Sequence, residues 1–71
     1  MATPVEAPMV GKILQVLVKV GDQVAEDDTV VVMEAMKMEI NVVAPTDGRI
    51  AAVNVAAGDS VDTDQVLATI E

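Results

Sequence analysis

The chain has 71 residues and a formal charge of −8, from twelve Asp and Glu against three Lys and one Arg. It is sized for one domain and lacks the cations that a nucleic-acid surface needs. It also lacks Phe, Tyr and Trp for stacking bases, Cys for a disulfide framework, and His. The longest apolar run, Val30-Val31-Val32-Met33, is far short of the roughly 20 residues of a membrane helix, and no N-terminal signal pattern is present, so no direct membrane insertion is expected.

A domain this short buries only about 60% of the surface of its unfolded chain, which leaves little room for an enclosed cleft. With no nucleophile–base pair and no metal-ligand cluster beyond surface carboxylates, a non-catalytic protein is expected. The apolar share of 52% is fifteen Val, ten Ala, five Met, four Ile and three Leu. Val loses rotamer freedom in a helix and packs well on a pleated sheet, so the composition predicts strands.

In chain order, Thr3-Pro4-Val5 opens a first short strand near Val5. The stretch 12–18 is a strand opened by Gly11 and closed by Gly21-Asp22, a turn pair in which Gly accepts positive φ and Asp bonds its own backbone. Ile13 and Val16 are three apart, which strict alternation puts on opposite faces, so a bulge or bend is expected between them. Short pairing near Val24 follows, then strands at 29–35 and 38–43. The stretch from Met33 to Ile40 holds good helix formers, yet β-branched residues precede it and Asn41-Val42-Val43 follows. Barely two turns of helix remain, so strand–turn–strand is preferred. A strand at 48–55, short pairing near Val61 and a strand at 66–70 complete the chain, and Glu71 closes what reads as a complete fold.

The sequence matches itself at one register, residue n against residue n+37 from Ala7 onward, with eleven identities over 28 positions and no gap. Ala7-Pro8 returns as Ala44-Pro45, Gly11 as Gly48, Ile13 as Ile50, Gly21-Asp22 as Gly58-Asp59, and Glu34 as Glu71. Two copies are too few for a solenoid, so each half must cover the other. The expected fold is all-β: a flattened barrel or sandwich of two antiparallel sheets with a quasi-two-fold internal repeat, in one domain spanning 1–71. The repeat halves are 7–34 and 44–71. Segment 35–43 has no copy, so it is expected near the axis at one end, with the termini at the other. Lys37 lies in it.

Glu34-Ala35-Met36-Lys37-Met38 resembles the attachment motif of biotin-dependent carboxylases and decarboxylases. The resemblance to the biotinyl family covers nearly the whole chain, through Ala7-Pro8-Met9, Gly11, Gly21-Asp22, Val24, the E-A-M-K-M block, Ala44-Pro45, Gly48 and Gly58-Asp59. It implies a barrel-sandwich hybrid that carries biotin as an amide on Lys37, attached by a biotin protein ligase, with Glu34, Ala35, Met36 and Met38 forming the recognition surface. The implied function is to carry a carboxyl group between a biotin carboxylase site, which uses ATP and bicarbonate, and a carboxyltransferase or decarboxylase site. The domain supplies tethering and no catalytic group, and a cytoplasmic location is expected.

Met36 and Met38 flank a turn lysine, so both cannot be deeply buried without burying Lys37. At least one is expected at the surface. The family often has Gly in the turns after Val24 and Val61, where this chain has Asp27 and Asp64; Asp tolerates left-handed backbone, so the turns should survive. The ungapped register leaves no room for the extra "thumb" of some bacterial acetyl-CoA carboxylase carriers, which favours thumb-less relatives. The alternatives are a lipoyl carrier domain, which shares the hairpin lysine but lacks the paired methionines, and a cofactor-free interaction domain.

Overall fold

The computed structural model describes residues 2–71, and among them there is no helix. Eight strands run in chain order: β1 (Thr3–Glu6), β2 (Gly11–Val16), β3 (Gln23–Val24), β4 (Thr29–Ala35), β5 (Met38–Val43), β6 (Gly48–Val53), β7 (Ser60–Val61) and β8 (Val66–Ile70). They form two four-stranded antiparallel sheets, in the orders β1-β8-β6-β3 and β5-β4-β2-β7. The expected fold class holds. Strands β4, β5 and β8 fall where the residue pattern placed them, while β2 and β6 each stop two residues short, at Val16 and Val53.

The two sheets are built on one plan, 37 residues apart. Ile13 pairs with Met33 as Ile50 pairs with Ile70, and Val16 with Val31 as Val53 with Ala68. Gly11 pairs with Val61 as Gly48 pairs with Val24. The bulge expected after Ile13 is present between Ile13 and Gln15, and its copy lies between Ile50 and Ala52. An extra residue on one strand re-aims the side chains, so Ile13 is buried and Val16 also turns towards the core.

The pairing repeats over a longer stretch than the side chains do. Thr3↔Ile70, Pro4↔Thr69 and Val5↔Ala68 are matched by Ile40↔Met33, Asn41↔Val32 and Val42↔Val31. Strand β1 is therefore the counterpart of β5 from Ile40 to Val43, although Val5 and Val42 are the one identity between them. Ladder hydrogen bonds belong to the backbone, so they can repeat where side chains have diverged.

Turn chemistry follows the same plan. Gly21 and Gly58 both have φ 97°. The carboxylate of Asp22 accepts the Lys19 N–H at 3.0 Å, and that of Asp59 accepts the Ala56 N–H at 2.9 Å. Asp27 and Asp64 occupy left-handed backbone at φ 74° and 66°, so the turns survive without glycine. Their N–H groups donate to the carbonyls of Ala44 and Ala7, which ties each Ala-Pro pair to a turn of the other half.

Between the sheets lies a core of small and β-branched side chains, including Val5, Ile13, Val24, Val31, Met33, Val42, Ile50, Val61, Leu67 and Ile70. Among the described residues, none that is polar or charged is buried in it. Narrow side chains let the sheets close without an aromatic filler.

Candidate functional site

Strands β4 and β5 form a hairpin whose last pair is Ala35↔Met38, so Met36 and Lys37 alone make the turn. Of the two-residue hairpin loops that match the right-handed twist of their strands, the type I′ form takes positive φ at both central residues. Met36 has φ 53° and Lys37 has φ 64°. Asn-Gly is the usual pair there, and a side chain in left-handed backbone costs about 1–2 kcal/mol per residue. Two such residues held at one turn mark it as a site where side-chain identity outweighs local ease.

The hairpin holds this turn by pairing from Thr29↔Val43 to the tip, and β2 supports it from the other side of β4. Gly11, at the start of β2, lets the backbones close up: a Cβ there would lie 2.4 Å from the Glu34 carbonyl oxygen and 2.6 Å from Cε of Met33. Buried Met33 and Ala35 anchor the inner face beneath the turn.

Outside, the tip is wet. Lys37 is exposed, and among the described residues no side-chain hydrogen bond reaches it. Met36 is 83% exposed and Met38 66% exposed, so both methionines stand at the surface, more than the one that the sequence required. Cross-strand register aligns Ser60, Lys12, Glu34 and Glu39 in one row below them, all exposed. Glu34 and Glu39 face each other directly, an unfavourable like-charge pair, and Lys12 is the cross-strand neighbour of Glu34 on its other side. Around Lys37, two exposed thioethers thus stand at the turn, and the outer face beneath it carries Glu34 and Glu39, while Met38 shares the opposite face with its partner Ala35.

Of the residues singled out from sequence, the structure brings Glu34, Met36, Lys37 and Met38 together at the tip. Ala35 departs from its expected role: at 3% exposure its side chain lies in the core and offers nothing for a partner to touch. Strict alternation from exposed Glu34 puts it there, where its small size suits the close approach of β2. Sequence reasoning missed Lys12 and Glu39 as neighbours of Glu34. The signal was weak, because one position on each of three strands must be registered before they meet.

Pro4, Gly48 and most of the chain share in what the comparisons match: the family model described as "Biotin-requiring enzyme" matches residues 3–70. The "Biotinylated protein TB7.3 homolog" of Mycolicibacterium smegmatis is 52% identical over 44 residues, 62% of this chain and 62% of that protein. The "Biotin carboxyl carrier protein" of Streptococcus mutans is 54% identical over 43 residues, 61% of this chain and 33% of that protein. The urea carboxylase of Kluyveromyces lactis superposes on all of this chain with a TM-score of 0.94 at 30% identity, using 6% of its own length. The chain therefore spans less than two thirds of each of these relatives.

Proposed function

The chain belongs to the biotin-requiring enzyme family as a non-catalytic carrier domain, and we propose that it holds biotin as an amide to Nζ of Lys37. The observation that carries this reading is the exposed lysine at the apex of a two-residue turn, bracketed by two exposed methionines. An amide-linked cofactor fits there. Its attachment needs an amine that a ligase can reach, and afterwards an arm with nothing to catch on; Lys37 provides both.

When bound, biotin supplies a ureido nitrogen that takes up a carboxyl group at one active site and releases it at another. The residues of this chain do the positioning. The β4–β5 ladder and Gly11 keep the turn fixed, so that motion is confined to the lysine side chain and what it bears. Tethering of this kind raises local concentration to roughly millimolar values, which a freely diffusing cofactor in the cell would not reach.

Glu34, Met36 and Met38 form the surface that a biotin protein ligase reads, while Ala35 acts from below by keeping the tip thin. The partners in the cycle are a biotin carboxylase and a carboxyltransferase or decarboxylase, and the whole chain 1–71 serves as a single carrier domain. ATP and bicarbonate are consumed at the first of those partners, and a cytoplasmic location is part of this proposal. No helix among the described residues is long and apolar enough to cross a membrane.

The test is intact mass after incubation with biotin, ATP and a biotin protein ligase, beside Lys37→Ala and a parallel lipoate ligase reaction. One biotin adduct on the parent and none on Lys37→Ala is expected. A parent chain without an adduct overturns the reading, and an adduct that survives in Lys37→Ala moves the site elsewhere.

A further inference from the structure

The chain has no Cys, His, Tyr or Trp, so its readily oxidised side chains are its five methionines. Their environments differ sharply. Met33 is fully buried at 0% exposure and Met9 is packed partly against the core, whereas Met36 and Met38 are 83% and 66% exposed on either side of Lys37. An oxidant in solution therefore meets thioether sulfur at the candidate attachment site before it meets Met33 or Met9.

We propose that Met36 and Met38 are a peroxide-sensitive modification site, and that their conversion to sulfoxides blocks biotin attachment at Lys37. The inference rests on the function proposed above. In the chemical step, a lone pair on the methionine sulfur attacks one oxygen of hydrogen peroxide. The O–O bond breaks, an S–O bond forms, the sulfur is oxidised by two electrons, and the peroxide is reduced to water. The product is polar and chiral at sulfur, with two epimers that need separate reductases for repair.

The consequence for recognition follows from what surrounds the lysine. Glu34 and Glu39 pair on the outer face of the hairpin, and the exposed apolar side chains nearest Lys37 are Met36 in the turn and Met38 on the other face, so a ligase that closes around the lysine covers thioether surface. A sulfoxide buried in that contact without a hydrogen-bond partner opposes binding. The backbone at Met36, at φ 53°, and at Met38, paired with Ala35, keeps both side chains beside Lys37, so either sulfoxide stays within the surface that a ligase would cover.

The experiment treats the biotin-free chain with hydrogen peroxide, removes the peroxide, maps the added oxygen by peptide mass, and then measures the rate of biotin attachment by a ligase. Oxygen is expected on Met36 and Met38 while Met33 stays unmodified, and ligation should slow by roughly tenfold or more. Treatment with both methionine sulfoxide reductases should restore the rate. In Met36→Leu and Met38→Leu together, whatever rate remains should be the same before and after peroxide. An oxidised chain that is biotinylated as fast as the untreated one, or one in which Met33 is modified first, overturns the inference alone. An untreated chain that takes no biotin removes the function and this inference together.

Discussion

Lys37 is held in left-handed backbone, next to Met36 in the same conformation. Neither residue is there for ease of folding, since glycine would adopt the same angles without a Cβ clash. Met36→Gly should therefore stabilise the domain by about 1 kcal/mol, read as a higher urea midpoint with an unchanged slope. A loss of stability would show that the Met36 side chain makes contacts worth more than its strain. The same substitution should slow biotin attachment, because it removes half of the apolar surface beside the lysine. Motif and repeat together singled out Lys37 from sequence; the conformation of its turn was not legible, because Met-Lys carries none of the Asn or Gly that usually announces such a turn.

Among the elements, β2 and β6 decide how closely the sheets can close. Each opens on a glycine whose missing side chain is filled by a neighbour: Gly11 by the Glu34 carbonyl and Met33, Gly48 by Cγ2 of Ile70 at 2.5 Å and the Glu71 carbonyl at 2.6 Å. Because carbonyl oxygens of the ladder cannot swing away as a side chain can, Gly11→Ala and Gly48→Ala should each cost about 2 kcal/mol or more in urea unfolding. Gly21→Ala and Gly58→Ala meet nothing within 4 Å and are strained through φ 97° alone, so a smaller loss of about 1 kcal/mol is expected. Equal losses at all four positions would contradict the packing account. The repeat marked Gly11 and Gly48 as equivalent, but only the register of β4 and β8 shows that they are close contacts rather than turn residues.

At the scale of the molecule, neither half has a sheet of its own. Strands β1 and β3, which precede the Lys37 turn, flank β8 and β6, which follow it, while β5 and β7 from beyond the turn flank β4 and β2 in return. The ends of β1 and β8 stand where the turn of the β4–β5 hairpin stands in the other sheet, so the hairpin tip is the place that one half needs and the other leaves to the chain ends. Peptides of residues 1–36 and 38–71 should each be unfolded by amide-proton dispersion, and the intact chain should unfold in one transition. A peptide with native-like dispersion on its own would refute the interleaving as the source of stability. With two-strand hairpins marginal in water, a pair of strands awaiting its flanks has too little apolar surface covered.

By itself the sequence determined that the chain would be all-β, that it would be two-fold, and that Lys37 would lie outside the matched halves. Valine content, the spacing of Ile13 and Val16, and the 37-residue register are local or periodic signals, and these survive in one dimension. Tertiary structure alone decided that β1 is the partner image of β5, that Ala35 is buried while both methionines are exposed, and that Lys12, Glu34 and Glu39 form one row. Each of these depends on cross-strand register. A slip of one residue would exchange the faces of a strand, and that choice is made by the whole core closing at once.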